Sequence, residues 1–495
     1  MFESRLIIGG RSMPATDGQC HERRAPVSEA VITRAAAAGP EEARMAADAA
    51  AAVFPEWSDS APEIRARMLT AAAERLRECS GELAAIAAAE VGSAPDWIAF
   101  DIEIACETLR AAAALAPRIG ETVVAGGRPG VACRLNRRPA GVVLGIAPWN
   151  APVTLAVRAL AAPLACGNTV VLKGSELCPK THETVAAAVI AAGLPAGVLN
   201  FITNAPDSAE PVVEALIAHP AVRRVNFTGS TRVGRRIAAL AARHLKPALL
   251  ELSGKGTMIV LADADLEAAA SAAVHGAFFN QGQICMSTDR IIVEDRVADA
   301  FARHLVARVQ DLRADPRPGG ARPLGSLISP QAVMRVRALI DDALAQGAVL
   351  LTGGEAVGTL LQPAVLDRVA PGMAIYSEEC FGPVAALIRA ADAEEAMTLA
   401  NDSDYGLVAA VFTRDLQRAA AIARELETGI VHINGSTVYD DPAMPFGGMK
   451  ASGHGRFGGD AALHEFTELQ WVAVHGAPAA CPSVPAVAAG QPQQP

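Results

Sequence analysis

Residues 141–150 read Gly-Val-Val-Leu-Gly-Ile-Ala-Pro-Trp-Asn, a short apolar run that ends in a polar turn. Comparable apolar runs occupy residues 169–172, 198–202, 225–227 and 248–252, and Ala-rich stretches with helical spacing separate them. Short apolar runs that alternate with helices are typical of a parallel sheet with right-handed crossovers and helices on both faces. This part of the chain is therefore predicted to be an α/β domain.

The turns after these predicted strands carry the most unusual side chains. They contain Pro148-Trp149-Asn150, Lys173-Gly174-Ser175-Glu176, Gly229-Ser230-Thr231 and Glu251. Because ligands of open parallel sheets bind beyond the carboxyl ends of the strands, these turns mark the predicted binding cleft.

A second series of alternating elements extends from about residue 258 to residue 434 and contains Cys285. This cysteine lies in a Gly/Gln turn, Phe279 to Arg290, between a small-residue helix and a β-branched run. A thiol so placed can act as a nucleophile if a neighbouring group takes its proton. The alternative is a free, buried cysteine that acts only as a small hydrophobe.

The composition is that of a globular protein without an evident nucleic-acid partner. The chain has 495 residues, of which 51% are hydrophobic and 19% charged, and its formal net charge is −10. This length predicts two or three domains. The sequence shows no dense Lys/Arg stripe, so it lacks the electrostatic footprint of a nucleic-acid-binding protein.

The cysteines and the apolar segments indicate where in the cell the protein is located. The nine cysteines form no C-x-x-C pair and no metal-ligand spacing, which predicts reduced thiols, a cytoplasmic protein and no metal site. The N-terminus lacks the form of a signal peptide. The uncharged stretch from Pro139 to Val157 contains Pro148 and Pro152, which favours a buried strand, a turn and a helix over a membrane span.

Two of the turns have the chemistry of a dinucleotide site. Small residues from Thr228 to Gly234 would leave backbone N–H groups at a helix N-terminus free to face a pyrophosphate; the alternative is an ordinary tight turn. Lys173 and Glu176 could bind the two hydroxyls of a ribose, and the carboxylate would repel a 2′-phosphate, which favours NAD over NADP. The alternative is a solvated ion pair.

Two further polar residues lie at the ends of predicted strands. Glu251 follows a core strand, where a carboxylate is either paired structurally or a general base with a raised pKa. Asn150 could cap the next helix, or its amide could donate to a developing oxyanion.

Together these motifs resemble the NAD(P)-dependent aldehyde dehydrogenase superfamily over about residues 5–475. The matching stretches are Pro148-Trp149-Asn150, Phe227-Thr228-Gly229-Ser230, Glu251-Leu252-Ser253-Gly254-Lys255, Gly282-Gln283-Ile284-Cys285, Glu379-Cys380-Phe381-Gly382-Pro383 and Pro445-Phe446-Gly447-Gly448. Residues 431–437 and 455–458 are similar to the branch that contains salicylaldehyde, vanillin and benzaldehyde dehydrogenases. The resemblance implies NAD-dependent oxidation of an aldehyde, of the aromatic kind, to the carboxylic acid. An aliphatic aldehyde or a semialdehyde is the alternative substrate.

The resemblance also implies a role for individual residues. Cys285 would be the nucleophile, Glu251 the base for the deacylating water, and Asn150 the side-chain half of the oxyanion hole. The implied NAD contacts are Ile146, Trp149, Lys173, Glu176, Gly229, Ser230, Glu379 and Phe381. The implied substrate mouth consists of Trp97, Arg158, Ile284, Met286 and Phe446. The chain departs from the family at Ser253, where Gly is usual, and at Gly174, where Pro is common.

The fold that the resemblance implies has three parts. A Rossmann-like NAD-binding domain would comprise residues 1–121 and 142–252, and an α/β catalytic domain residues 253–455. Residues 456–475 would return to the NAD-binding domain and contain a further strand. This strand and the hairpin 122–141 would form a β element that joins protomers into a homodimer or homotetramer. Residues 476–495 are predicted to be a disordered tail.

Three rival classes stay open on chemical grounds. A cysteine hydrolase would need a histidine beside the thiol, for which His275 is a candidate. By analogy with the family, a CoA-acylating dehydrogenase would lack Glu251, and a silent binding protein on this scaffold would lack Cys285 or Asn150. The presence of all three residues favours a hydrolytic dehydrogenase that acts on a small-molecule aldehyde.

Overall fold

The computed structural model describes residues 1–124, 131–315 and 323–475. The predicted tail and the turn of the predicted hairpin, residues 126–130, lie outside the described residues. Among the helices in the described ranges, none has both the length and the apolar character that crossing a bilayer requires.

The first large sheet is built by the amino-terminal half of the chain. Its five central strands are parallel, and antiparallel strands flank them on both sides. In spatial order the strands are Gly453–His454, Ala248–Glu251, Val222–Thr228, Val142–Ile146, Thr169–Lys173, Leu199–Ile202, Leu6–Ile8 and Arg11–Met13. The five parallel strands are those predicted from the apolar runs, and their bounds agree within a few residues.

The second large sheet follows in the chain and is parallel except at one edge. Its strands, in spatial order, are Val349–Thr352, Ala364–Asp367, Val384–Ala390, Thr288–Glu294, Gly256–Val260, Val408–Phe412 and Ile430–Ile433. The prediction of a second α/β series is confirmed. The β-branched run after Cys285 is the buried strand Thr288–Glu294 near the middle of this sheet.

A separate antiparallel sheet combines the predicted hairpin with the last strand. Its order is Thr467–His475, Val131–Pro139 and Glu121–Val124, and Trp471 lies opposite Leu135. We call these three strands the arm. Smaller sheets are formed by Phe2–Ser4, Val31–Ala36 and Cys20–Arg24, by Arg313–Ala314 with Pro323–Leu324, by Ala356–Val357 with Leu360–Leu361, and by Tyr405–Gly406 with Met449–Lys450.

Helices cover both faces of the two large sheets. The α-helices are Pro40–Ser58, Pro62–Glu78, Ser80–Val91, Pro95–Leu115, Pro152–Ala165, Pro179–Ala191, Ala209–Ala218, Thr231–Arg243, Leu266–Phe278, Asp295–Val309, Pro330–Ala345, Ala374–Ser377, Ala393–Asn401, Leu416–Glu425 and Gly459–Phe466. Short 3₁₀ helices occupy Ala116–Arg118, Pro206–Ser208 and Phe279–Gly282. The two helices predicted to begin at Pro40 and Pro62 do so, because a proline at the first position needs no backbone donor.

One buried carboxylate ties the amino-terminal helices to the first sheet. Glu90 is fully buried and accepts hydrogen bonds from the backbone N–H groups of Lys180 (3.0 Å) and Thr181 (2.9 Å). It also accepts from the hydroxyls of Thr181 and Thr33. These contacts satisfy donors at the start of helix Pro179–Ala191, which follows the Lys173–Glu176 turn.

Removing this carboxylate should destabilise the protein more than an ordinary helix substitution. Glu90→Ala leaves four buried donors without an acceptor, so we expect a loss of about 2–5 kcal/mol in the free energy of unfolding. Glu82→Ala, an exposed position on the same helix, should change it by about 0.5 kcal/mol or less. Chemical denaturation of both variants compares them; equal midpoints would contradict a structural role for Glu90.

Candidate active site

Loops from both large sheets meet at one cleft. It has a volume of about 610 Å³ and contains eight of the residues predicted from the sequence. Those eight are Trp149, Asn150, Gly229, Ser230, Glu251, Cys285, Glu379 and Phe381. The first five follow parallel strands of the first sheet, as expected for a ligand cleft at its carboxyl edge. The other three come from loops of the second sheet.

The cysteine loop is held in an unusual backbone conformation. Asn280 and Gln281 both have left-handed φ angles, 46° and 56°, which turn the chain from helix Leu266–Phe278 toward Cys285. The thiol is half-buried at the cleft. Gly254 passes so close behind it that a Cβ there would lie 2.2 Å from the carbonyl oxygen of Cys285. A glycine is therefore required at residue 254 to let the two loops approach each other.

Cys285 and Glu251 both line the cleft. The thiol and the Glu251 carboxyl group are close enough for each to affect the pKa of the other. Burial raises the pKa of Glu251 to about 7, although the thiol and the positive Arg158 oppose this shift. Burial and the nearby carboxylate raise the pKa of the Cys285 thiol well above its usual value. The proton therefore resides on sulfur at rest, and Glu251 is the acceptor within reach.

Asn150 is held against the cysteine loop by three hydrogen bonds. Its Nδ2 donates to the carbonyl of Gln283 at 3.0 Å, which leaves the second amide N–H free to donate elsewhere. Its own carbonyl accepts from Trp97 Nε1 at 3.1 Å and from Asn280 Nδ2 at 2.9 Å. The side chain thus has a fixed orientation beside Cys285, and its role does not reduce to capping a helix.

A second acidic group faces the cleft from the other sheet. Glu379 Oε1 accepts from the backbone N–H of Gly254 at 2.9 Å, and its carboxyl group also bonds to the Ser253 hydroxyl. Burial raises the pKa of Glu379 to about 7, although these two donors oppose the shift. Ser253 therefore adds a donor to Glu379 where the family usually has glycine.

The aromatic and small residues of the cleft shape its two sides. Trp149 and Phe381 meet edge to face with ring centroids 5.8 Å apart. Ser230 caps helix Thr231–Arg243, and the Gly229 N–H donates to the carbonyl of Glu251 at 3.0 Å. The N-terminus of this helix therefore opens onto the cleft, as the predicted phosphate-binding turn requires.

Lys173 and Glu176 pair with each other, but neither lines the cleft itself. Their Nζ and Oε2 atoms are 3.6 Å apart; Lys173 is buried and Glu176 is half-buried. Ile146 is buried at the end of its strand and also lies behind the cleft surface. The alternative of a solvated ion pair does not hold for Lys173, because its side chain is buried.

None of the five predicted substrate residues lines this cleft. Each is between 3% and 7% exposed. Trp97 lines a separate cavity of about 290 Å³, while Arg158 and Phe446 line a small one of about 30 Å³. We call these five residues the inner wall; Ile284 and Met286 adjoin Cys285 in the chain, and Trp97 donates to the backbone carbonyl of Asn150.

The charge of Arg158 is already balanced. Its guanidinium pairs with Asp440, which is 6% exposed, and lies 4.2 Å from the centre of the Phe446 ring. Arg158, which the resemblance places at the substrate mouth, therefore already has an internal partner. Asp440 Oδ1 has no hydrogen-bond partner within the described residues. Asp440 was missed because no local motif relates it to a residue 282 positions earlier in the chain.

Other contributors to the site were also missed. Asn280 supports Asn150, and Arg335 donates to the carbonyls of Glu379 (3.0 Å) and Cys380 (2.7 Å). Lys255 forms a buried ion pair with Asp289 at 3.1 Å beside the Gly254 approach. Lys255 belonged to a recognised motif and Asn280 to the cysteine stretch, but no sequence pattern pointed to Arg335.

The shape of the cleft fits a dinucleotide. Residue Arg232 lines both this cleft and an adjoining cavity of about 560 Å³ between helices Ala209–Ala218 and Thr231–Arg243. The adjoining cavity has apolar walls suited to a flat base, including Val213, Val233 and Ile237. Within the described ranges, no cluster of His, Cys, Asp and Glu could hold a metal ion.

Comparison with known proteins identifies a family that this chain resembles over nearly its whole length. The model of the aldehyde dehydrogenase family matches residues 13–472. A vanillin dehydrogenase of Pseudomonas fluorescens is 52% identical over 97% of this chain and 99% of its own length. The crystal structure of a Pseudomonas putida G7 salicylaldehyde dehydrogenase complexed with salicylaldehyde has a TM-score of 0.94, with 43% identity over 96% of this chain and 98% of that one.

A third similar structure is that of PnpE in complex with nicotinamide adenine dinucleotide. It has a TM-score of 0.91 and 34% identity, covering 95% of this chain and 97% of that one. The motifs, the two-sheet fold and the shared cleft agree with these matches over nearly the whole chain. The protein belongs to the aldehyde dehydrogenase family and is an oxidoreductase that oxidises an aldehyde group.

Proposed function

We propose that the protein oxidises a ring-hydroxylated aromatic aldehyde to the carboxylic acid, with NAD as the preferred cofactor. The observation that carries this proposal is the convergence of Cys285, Glu251 and Asn150 at one cleft. A cysteine hydrolase is disfavoured, because the Glu251 carboxyl group lines the cleft with the Cys285 thiol, whereas His275 lines a separate cavity.

The first chemical step is the formation of a covalent adduct on Cys285. Glu251 takes the thiol proton, and the sulfur attacks the aldehyde carbon. The free N–H of the Asn150 amide and the backbone N–H of Cys285 stabilise the negative oxygen of the resulting thiohemiacetal. Because the Gln283 carbonyl fixes the Asn150 amide, this donor is oriented before the substrate arrives.

Oxidation and hydrolysis complete the turnover. When bound, a nicotinamide cofactor would supply a hydride acceptor, and the Cys285 adduct without its hydride is a thioester. Glu251 releases the thiol proton to solvent and then takes a proton from a water molecule, whose oxygen attacks the thioester carbon. The acid leaves and Cys285 regains its proton. A pKa near 7 suits Glu251 to this work at neutral pH.

The cofactor preference rests on the Lys173–Glu176 pair. In the proposed complex both side chains face the adenosine ribose, and the Glu176 carboxylate would repel a 2′-phosphate. The pair is preformed, with its nitrogen and oxygen 3.6 Å apart. PnpE provides an NAD-bound relative with a similar fold.

The substrate class rests on the inner wall. Arg158 and Asp440 are close enough for their charges to affect the pKa of Glu251. The cavity beside them has about 30 Å³ of space, enough for a hydroxyl group but not for a ring. We infer that a ring hydroxyl donates to Asp440 Oδ1 while the ring packs near Phe446. The vanillin and salicylaldehyde dehydrogenases among its relatives act on hydroxylated rings.

The proposal also covers how protomers assemble and where in the cell the protein is located. The arm exposes apolar side chains that a second copy could cover; the exposed fractions are 72% for Val123, 56% for Leu469 and 70% for Trp471. We infer that the arm joins protomers into a homodimer or homotetramer. A cytoplasmic location is supported by the eight free cysteines of the described residues.

The pH dependence of deacylation should follow Glu251. Below pH of about 7 this carboxyl group is protonated and cannot accept a proton, so kcat should fall as the pH is lowered. Glu251→Gln should lower steady-state turnover at least about a hundredfold and remove that pH dependence, and it should also slow the burst of NADH, because Glu251 takes the thiol proton as well. Stopped-flow absorbance between pH 5.5 and 9 records both. Undiminished steady-state turnover in the variant would show that another group activates the water.

Cofactor choice should depend on Glu176. Glu176→Gln removes the charge that opposes a 2′-phosphate, so the ratio of kcat/KM for NAD to that for NADP should fall about tenfold. Glu183→Gln is the matched control, since Glu183 forms a similar pair with Lys180 at 2.9 Å one helical turn later. A wild-type enzyme with equal kcat/KM for both cofactors would contradict the preference.

Discrimination of hydroxylated rings should depend on Asp440. Asp440→Asn weakens the acceptor, so kcat/KM for vanillin and salicylaldehyde should fall about tenfold relative to benzaldehyde. Asp441→Asn is the control, because that carboxylate bonds within its own loop to the N–H of Ala443. An unchanged ratio in Asp440→Asn would remove Asp440 from substrate recognition. Hexanal as the best wild-type substrate would overturn the aromatic assignment.

A further inference from the structure

Two buried charged residues contact the loop that carries Glu379, and neither takes part in the proposed chemical steps. Lys255 is 4% exposed and Asp289 is 3% exposed. Lys255 lies immediately before strand Gly256–Val260, and Asp289 belongs to the neighbouring parallel strand Thr288–Glu294. Lys255 Nζ and Asp289 Oδ2 are 3.1 Å apart. The ion pair is therefore built on two adjacent strands of the second sheet.

Both members of this pair also form hydrogen bonds with the backbone of the Glu379 loop. Lys255 Nζ donates to the carbonyl of Glu378 at 2.6 Å. The N–H of Cys380 donates to Asp289 Oδ2 at 2.9 Å. Glu378 and Cys380 are the residues directly before and after Glu379. The pair, which we call the clamp, thus fixes the backbone on each side of this carboxyl group.

The side chain of Glu379 is held by the residue next to the clamp. Its Oε1 accepts from the backbone N–H of Gly254 at 2.9 Å, and Gly254 directly precedes Lys255 in the chain. The Glu379 side chain lines the cleft. Three hydrogen bonds, from Gly254, Lys255 and Asp289, therefore determine where this carboxyl group lies in the cleft.

Arg335 contacts the same loop from the cleft. It donates to the carbonyls of Glu379 at 3.0 Å and Cys380 at 2.7 Å, and it lines the cleft itself. Replacing Arg335 would therefore change the charge of the cleft surface as well as the position of the loop. Lys255 and Asp289 do not line the cleft, so they would act on a bound cofactor only through the residues between them and the cleft.

We propose that Lys255 and Asp289 are positioning residues that hold Glu379 where it contacts the cofactor. The inference rests on the proposed function, since it takes Glu379 as a contact of bound NAD. The clamp acts through its hydrogen bonds to the backbone on either side of Glu379. A neutral side chain at residue 289 that keeps the bond to Cys380 should therefore preserve the affinity for NAD.

Two substitutions of Asp289 separate its hydrogen bond from its charge. In Asp289→Asn the amide oxygen can take the place of Oδ2 and still accept from the Cys380 N–H. In Asp289→Val that acceptor is lost, although valine suits a strand. The two variants have the same net charge, so any effect of the lost carboxylate on the protonation of Glu379 is common to both.

We expect the affinity for NAD to follow the hydrogen bond. Asp289→Val should raise the Kd and the KM for NAD about fivefold, the effect of one hydrogen bond, with kcat near wild type. Asp289→Asn should keep the Kd within about twofold of wild type, although both variants leave Lys255 without its counter-charge and should lower Tm. The Kd is measured by quenching of tryptophan fluorescence at pH 8.5, where Glu379, with a pKa of about 7, is ionised.

A double variant separates position from stability. Lys255→Met/Asp289→Val leaves no buried charge uncompensated, so its Tm should exceed that of Asp289→Val. The backbone on both sides of Glu379 stays without its partners, so the Kd for NAD should remain raised at least about fivefold. Asp367→Asn is the control, because Asp367 is 6% exposed and pairs with Arg389 at 2.8 Å in the same sheet, outside the cleft lining. It should lower Tm and leave the Kd unchanged.

Other outcomes would overturn the inference. A Kd that follows Tm in every variant, Asp367→Asn included, would mean that the clamp only stabilises the fold. Equal Kd values in Asp289→Asn and Asp289→Val would exclude positioning through the hydrogen bond. Glu379→Gln tests the underlying assignment separately, since an unchanged Kd in that variant would remove Glu379 from the proposed cofactor site. A raised Kd in Glu379→Gln with a wild-type Kd in Asp289→Val would refute the clamp alone.

Discussion

The contact between the Cys285 loop and the segment Glu251 to Gly254 is the constraint on which the site depends. Cys285 belongs to the second sheet, whereas Glu251 ends a strand of the first. The thiol and the carboxyl group act on each other's pKa at this contact, where Gly254 allows the two backbones to approach within contact distance. Burial raises the pKa of both groups.

Buried carboxyl groups at the cleft are not matched by an equal number of buried cationic groups, and this imbalance determines the chemistry of the cleft. Glu251 and Glu379 approach it from opposite sides, and burial raises the pKa of each to about 7. The cations whose charges act on these two acids already have partners, since Arg158 pairs with Asp440 and Lys255 with Asp289. The acids therefore remain only weakly compensated. Weak compensation of these charges lowers the stability of the fold, but it suits carboxyl groups that must gain and lose protons.

Much of the fold was readable from local patterns. The five apolar runs of the first sheet are strands, and the turns after them face the cleft, because strand order and crossover handedness leave few alternatives. Glu251, Cys285 and Asn150 were found for the same reason, since each follows a recognisable element. Arg158 and Asp440 show where this reasoning fails. Their pairing depends on how two distant segments pack against each other, and no local sequence pattern in either segment predicts that contact.

The arm has a consequence for how the chain folds during synthesis. The strand Val131–Pro139 pairs along its full length with Thr467–His475, the last strand in the described part of the chain. A ribosome must therefore make more than three hundred further residues before this strand finds its partner. Such long-range pairing is slow, and until it occurs the edge of the strand is open to other chains. The nascent protein is thus exposed to aggregation through this edge until residues 467–475 have been made.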